Sequence, residues 1–111
     1  MIYRYFKMDD NDKLKELMKI SNPAKVLKNA IKYFNNPNVK IYVSSKKDKK
    51  YMIIGLNGKA VHFGQIGYEV YTKHNDLNHR NVYLSRATKI KGNWKDDPYS
   101  PNSLSINLLW M

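Results

Sequence analysis

The chain has no cysteine among its 111 residues. That rules out a disulfide framework and a thiolate metal site, and it fits an intracellular setting. No stretch approaches the roughly 18 consecutive apolar residues that a membrane-spanning helix needs, so no membrane span is expected. The opening MIYRYFKMDDNDK lacks the apolar core of a secretory signal. Acids are scarce: 9 Asp and Glu face 20 Lys and Arg, a formal net charge of +11. With Glu69 alone between Asp48 and Asp76, no pair of carboxylates stands out for acid–base work. Gly64 and Gly67 lack the Walker spacing and its closing Lys-Ser/Thr, so they form no phosphate-cradling loop. No nucleophile elbow supports serine–histidine catalysis.

What is present reads as one modest globular domain, 42% hydrophobic and 26% charged. Ile2, Tyr3, Tyr5 and Phe6 open it as a short strand or packed tail. Asp9, Asp10 and Asp12 suit the start of a helix. Leu14, Leu17 and Met18 then form its apolar stripe, which ends near Ile20. Ser21-Asn22-Pro23 restarts the chain, with a cap followed by proline at the first helical position. Leu27, Ala30, Ile31 and Phe34 carry the apolar face onward until Asn35-Asn36-Pro37-Asn38 stops it. Alternation over 39–45 predicts a strand. Lys46-Lys47-Asp48-Lys49-Lys50 reads as a basic hairpin tip, with 51–56 as the second strand. Asn57-Gly58 predicts a type I′ turn, and 59–63 returns as the third strand.

Asn75 or Asp76 caps a helix from about Leu77 to Ala87. Leu77, Arg80, Leu84 and Ala87 share its inner side, while His79, Val82 and Arg86 point the other way. A guanidinium near an apolar face, as at Arg80, is expected to hold a carboxylate or backbone carbonyls. Trp94 is expected to anchor on the sheet. Ser100 caps and Pro101 starts a last helix that is apolar nearly all round, and such a helix is buried or binds something. The fold class expected is therefore α+β: a three-stranded antiparallel meander (domain 38–111) covered by short helices, with an N-terminal helical arm (1–37).

From about residue 49 onward the chain resembles a small family of uncharacterised proteins of large nucleocytoplasmic DNA viruses, mimivirus-like and chlorella-virus-like. The pieces that carry the resemblance are Lys50-Tyr51, Asn57-Gly58-Lys59, Val61-His62-Phe63-Gly64, Gly67-Tyr68 and Tyr71-Thr72-Lys73-His74-Asn75-Asp76. Arg80, Tyr83-Leu84, Arg86, Trp94, Asp97-Pro98-Tyr99-Ser100-Pro101, Leu104-Ser105 and Leu108-Leu109-Trp110 complete them. The family usually has His-Lys-Asp where this chain has His74-Asn75-Asp76, and often a doubled arginine at His79-Arg80. Both departures remove positive charge from that helix. The resemblance implies a viral origin, with a place in the virion or the host cytoplasm where viruses assemble, and it implies no activity.

Charge and resemblance together lead to a non-enzymatic basic viral protein that binds nucleic acid through phosphates, DNA ahead of RNA. Lys46, Lys47, Lys49, Lys50, Arg86, Lys89 and Lys91 are the residues expected to do so. The alternative is a virion structural or minor capsid protein. It would dock onto other virion proteins through its aromatic ends, with Leu104, Leu108, Leu109 and Trp110 as the interface. No cofactor is implied. A metal-dependent nuclease would need His62, His74 and His79 to converge.

Overall fold

The structure, a computed structural model, describes residues 11–66 and 70–111. The aromatic opening, Asp9, Asp10, Gly67 and Glu69 lie outside the described residues. The element order is α1 (Asn11–Ile20), α2 (Pro23–Phe34), β1 (Tyr42–Val43), β2 (Lys49–Ile54), β3 (Ala60–Gln65), α3 (Tyr71–His74), α4 (Leu77–Ala87), a 3₁₀ turn (Trp94–Asp96) and α5 (Pro101–Leu104). The last helix continues as a wider π-helical turn over Ser105–Leu109. The chain is an α+β protein with one antiparallel sheet in the order β1-β2-β3.

The two N-terminal helices form where local chemistry directs. Leu14 and Leu17 are buried along α1, and Lys13 Nζ donates to the carbonyls of Ser44 and Lys46 at 2.7 Å each, tying α1 to the turn after β1. Asn22 Oδ1 accepts from the Lys25 amide at 3.2 Å, and Pro23 occupies the first turn of α2. Asn35 ends α2 in the left-handed region at φ 50°. Leu14, Leu17, Val26, Leu27 and Ala30 join the same core cluster as Val43, Phe63 and Leu108.

The sheet is held in register by a row of apolar partners. Val43 pairs with Tyr51, and Tyr51 with Phe63. All three are fully buried, and the rings of Tyr51 and Phe63 lie 5.9 Å apart. The Tyr51 hydroxyl donates to Ser21 Oγ at 2.8 Å, fastening the joint between α1 and α2 to the central strand.

Three details depart from the sequence reading. The first strand is only Tyr42–Val43, because Asn36-Pro37-Asn38 still governs Val39, whose amide bonds to the Asn36 carbonyl. The second hairpin is not type I′. Gly58 N–H bonds to the Gly55 carbonyl and only Gly58 has positive φ, at 77°, which makes a three-residue loop with a left-handed glycine. On α4, Leu77 is exposed, and the inner side is formed by Arg80, Tyr83, Leu84 and Ala87.

The last helix is buried in the core. Ser100 Oγ accepts from the Ser103 amide, and Pro101 starts the first turn, as the sequence predicts. Leu104 and Leu108 have no exposed surface, and Ile106, Leu109 and Trp110 are buried. Asn29 on α2 donates to the Leu108 carbonyl at 3.1 Å. On the other side Arg80 Nε donates to the Trp110 carbonyl at 2.8 Å, the backbone-holding role expected of that arginine. Trp94 anchors the loop before α5 and lies outside the core cluster: its indole donates to the Ile90 carbonyl, and its own carbonyl accepts from Ser100 and Ser103.

Candidate functional site

A cleft of about 540 Å³ opens between the start of β2, the end of β3, α4 and the last helix. Lys50, Gln65, His79, Arg86 and Ser105 supply its polar lining, and Val70, Tyr83, Leu109 and Trp110 its apolar lining. Each side chain is placed by an element whose local reason is visible. Asp76 starts α4 by accepting from the amides of Asn78 and His79, and those amides hold its carboxyl below the ordinary carboxylate value, His79 foremost. The α4 turns then deliver His79, Tyr83 and Arg86 along one side, at spacings of four and three residues. Tyr83 stacks on Trp110 with ring centres 4.1 Å apart and planes 3° from parallel, which fixes the apolar wall.

At the floor lies Gly64. Its φ of +78° is one that side-chain-bearing residues rarely adopt, and a Cβ there would meet Leu109 Cδ1 at 2.8 Å. Its glycine is what lets the last helix approach β3. Beside it, Lys50 is buried along its length and its ammonium donates to the Gln65 carbonyl. Burial, and then the charge of Lys49, push its pKa down to about 8. No acid lines the cleft among the described residues. Burial raises the Tyr83 hydroxyl above its usual value, and a hydrogen bond with Ser105 partly offsets this.

The residues expected to contact phosphates divide. Lys46, Lys47, Arg86, Lys89 and Lys91 are exposed and Lys49 is half-exposed. Lys50 is not on the hairpin tip. It begins the buried part of β2, because strand pairing starts at Lys49 and turns the next side chain inward. The expected interface residues Leu104, Leu108, Leu109 and Trp110 are buried in the chain's own core cluster, and of these Leu109 and Trp110 also line the cleft. The cleft itself was missed from sequence: Lys50, Gly64, Tyr83, Arg86, Ser105, Leu109 and Trp110 all lie in the segments that carry the resemblance, but those segments are dispersed along the chain and nothing local says that they meet.

The histidines do not assemble a metal centre. The rings of His74 and His79 lie 5.2 Å apart, while His62 Nδ1 is 2.6 Å from Ser44 Oγ on the sheet. His74 Nδ1 accepts from the Asp76 amide, and its buried Nε2 has no hydrogen-bond partner among the described residues. Among those residues no group of three His, Cys, Asp or Glu could hold a metal ion. No helix there is long and apolar enough to cross a membrane.

The profile of a family of unknown function (DUF5754) matches residues 39–87, less than half of the chain. That span carries the sheet, α3 and α4, and hence Lys50, Gly64, Gln65, His79, Tyr83 and Arg86, while Ser105, Leu109 and Trp110 lie beyond it. No catalytic family is among the matches, and the chain matches no curated protein and no solved structure.

Proposed function

We propose that this is a non-enzymatic basic protein that binds nucleic acid through phosphate contacts made by Lys46, Lys47, Lys49, Arg86, Lys89 and Lys91. The observation that carries the reading is an excess of positive charge with few ion pairs among the described residues. The formal charge is +11, yet the described residues contain a single ion pair, Lys19 with Glu16 at 3.2 Å, and both of its members are exposed. Cations not paired within a fold are available to a polyanion, and each phosphate neutralised releases counterions. Lys28 and Lys32 on the outer face of α2 add to the basic surface. Exposed lysines meet phosphates as point charges on flexible stems, so affinity without sequence preference is expected. The resemblance to proteins of large DNA viruses extends the proposal to a setting, in or beside the packaged genome of a virus particle.

Fluorescence anisotropy of labelled duplex and single-stranded DNA across a salt series tests the reading. Binding tighter than roughly 10 μM near physiological salt is expected, with log K falling against log salt by about 0.9 for every phosphate contacted on duplex. Replacing Lys46, Lys47, Lys89 and Lys91 together by Gln should flatten that slope. Absence of binding at low salt would remove the proposal.

A further inference from the structure

The cleft between β2, β3, α4 and the last helix differs in kind from the lysine surface, because it is concave, partly apolar and built around a cation withdrawn from water. We propose that it is a binding site for an organic phosphate monoester: the phosphate would sit on Lys50, Arg86 and Ser105, with the organic part against Leu109 and Trp110.

A buried ammonium is normally matched by a carboxylate. Lys50 has a carbonyl acceptor, Gln65 O, and no acid partner among the described residues. One acceptor leaves donors of the ammonium unused. Arg86 reaches the same cleft and its side chain makes no hydrogen bond or ion pair among the described residues. His79 adds a third nitrogen-bearing group to the lining. Among the described residues two cations line a space that no acid lines, and a dianion would complete it. The volume, about 540 Å³, exceeds what a bare phosphate fills and falls in the range of small-molecule sites. The apolar wall accounts for the remainder, since the stacked Tyr83–Trp110 pair and Leu109 present carbon to whatever the phosphate carries. Gly64 has no side chain to fill the floor.

Such a group could be a free nucleotide or the 5′-phosphate at the end of a strand, and the test separates them. The full chain is titrated by calorimetry with thymidine 5′-monophosphate, with thymidine, and with a short oligothymidylate bearing either a 5′-phosphate or a 5′-hydroxyl. The monophosphate is expected to bind at least about tenfold tighter than thymidine, the difference expected of charge-assisted contacts. Arg86→Gln, at an exposed position, and Lys50→Met, which keeps the packed stem, should each weaken it about tenfold. Lys59→Gln removes one charge at an exposed site outside the cleft and should leave binding unchanged. A preference of the oligonucleotide for its 5′-phosphate, lost in Arg86→Gln, identifies the strand end; binding of the mononucleotide alone identifies the free ligand. Equal binding of thymidine and its monophosphate, or full retention of binding in folded Arg86→Gln and Lys50→Met, overturns the proposal. Arg86 belongs to both sets, but Lys50→Met touches the cleft alone and the quadruple Gln variant the surface alone, so the two proposals fail separately.

Discussion

A lysine only 1% exposed must keep a positive charge inside the protein or give it up. Lys50 moves toward the second course: its pKa falls from the ordinary 10.5 to about 8, chiefly through burial. The consequence for stability has a definite sign. Above pH 8 the folded chain has begun to lose this proton while the unfolded chain keeps it, so the unfolded state binds more protons and stability rises with pH. From about pH 10 the trend reverses. Burial raises the hydroxyl pKa values of Tyr51, Tyr83 and Tyr33, so the unfolded chain loses those protons first. Urea midpoints are therefore expected to increase between pH 7.5 and 9.5 in the wild type and to stay flat or fall in Lys50→Met. An equal increase in both proteins would show that Lys50 is not the group responsible. Nothing in the run Lys46-Lys47-Asp48-Lys49-Lys50 distinguishes the last lysine from the other three. The distinction arises because Lys49 pairs with Gln65 and the next side chain points at the last helix.

Among the elements, the last helix joins a local cap to a buried position in the core. Ser100 Oγ accepts from the Ser103 amide at 3.2 Å and donates to the Trp94 carbonyl at 3.0 Å, so one hydroxyl both caps the helix and fastens the loop before it. Ser100→Ala is expected to cost about 1–2 kcal/mol, at the upper end of the range for a cap, measured as a shift in urea midpoint with unchanged m. A loss of only a few tenths would mean that the loop holds the helix start without it. The helices were legible from sequence because capping and proline placement are short-range: Asn22-Pro23, Asp76 and Ser100-Pro101 each mark a start, and α2, α4 and α5 begin where these residues put them. The hairpin was legible in place but not in type, because Asn57-Gly58 is compatible with two loops. Bonds from Gly55 to Gly58 and Lys59 decide for the longer one.

For the molecule as a whole, residues from both N-terminal helices, the sheet and the last helix form one buried cluster, and Leu108 is a member of it with no exposed surface. Leu108→Ala is expected to cost about 2–5 kcal/mol through lost transfer energy and the cavity left behind. Tryptophan fluorescence and far-ultraviolet circular dichroism should report that loss at the same denaturant midpoint, because the helices and the sheet share one core. Separate midpoints would mean that α1 and α2 unfold independently of the rest. Short-range order and charge were decided by the sequence alone. Periodicity, caps and turn residues are properties of neighbours along the chain, and a net charge of +11 is a sum that no fold changes. Only the tertiary structure decided which cations face water and which apolar helix lies at the centre. Lys50 turns inward and residues 104–110 enter the core because strand register and the close approach at Gly64 bring distant segments together, and that convergence is what makes a cleft from side chains that share no motif.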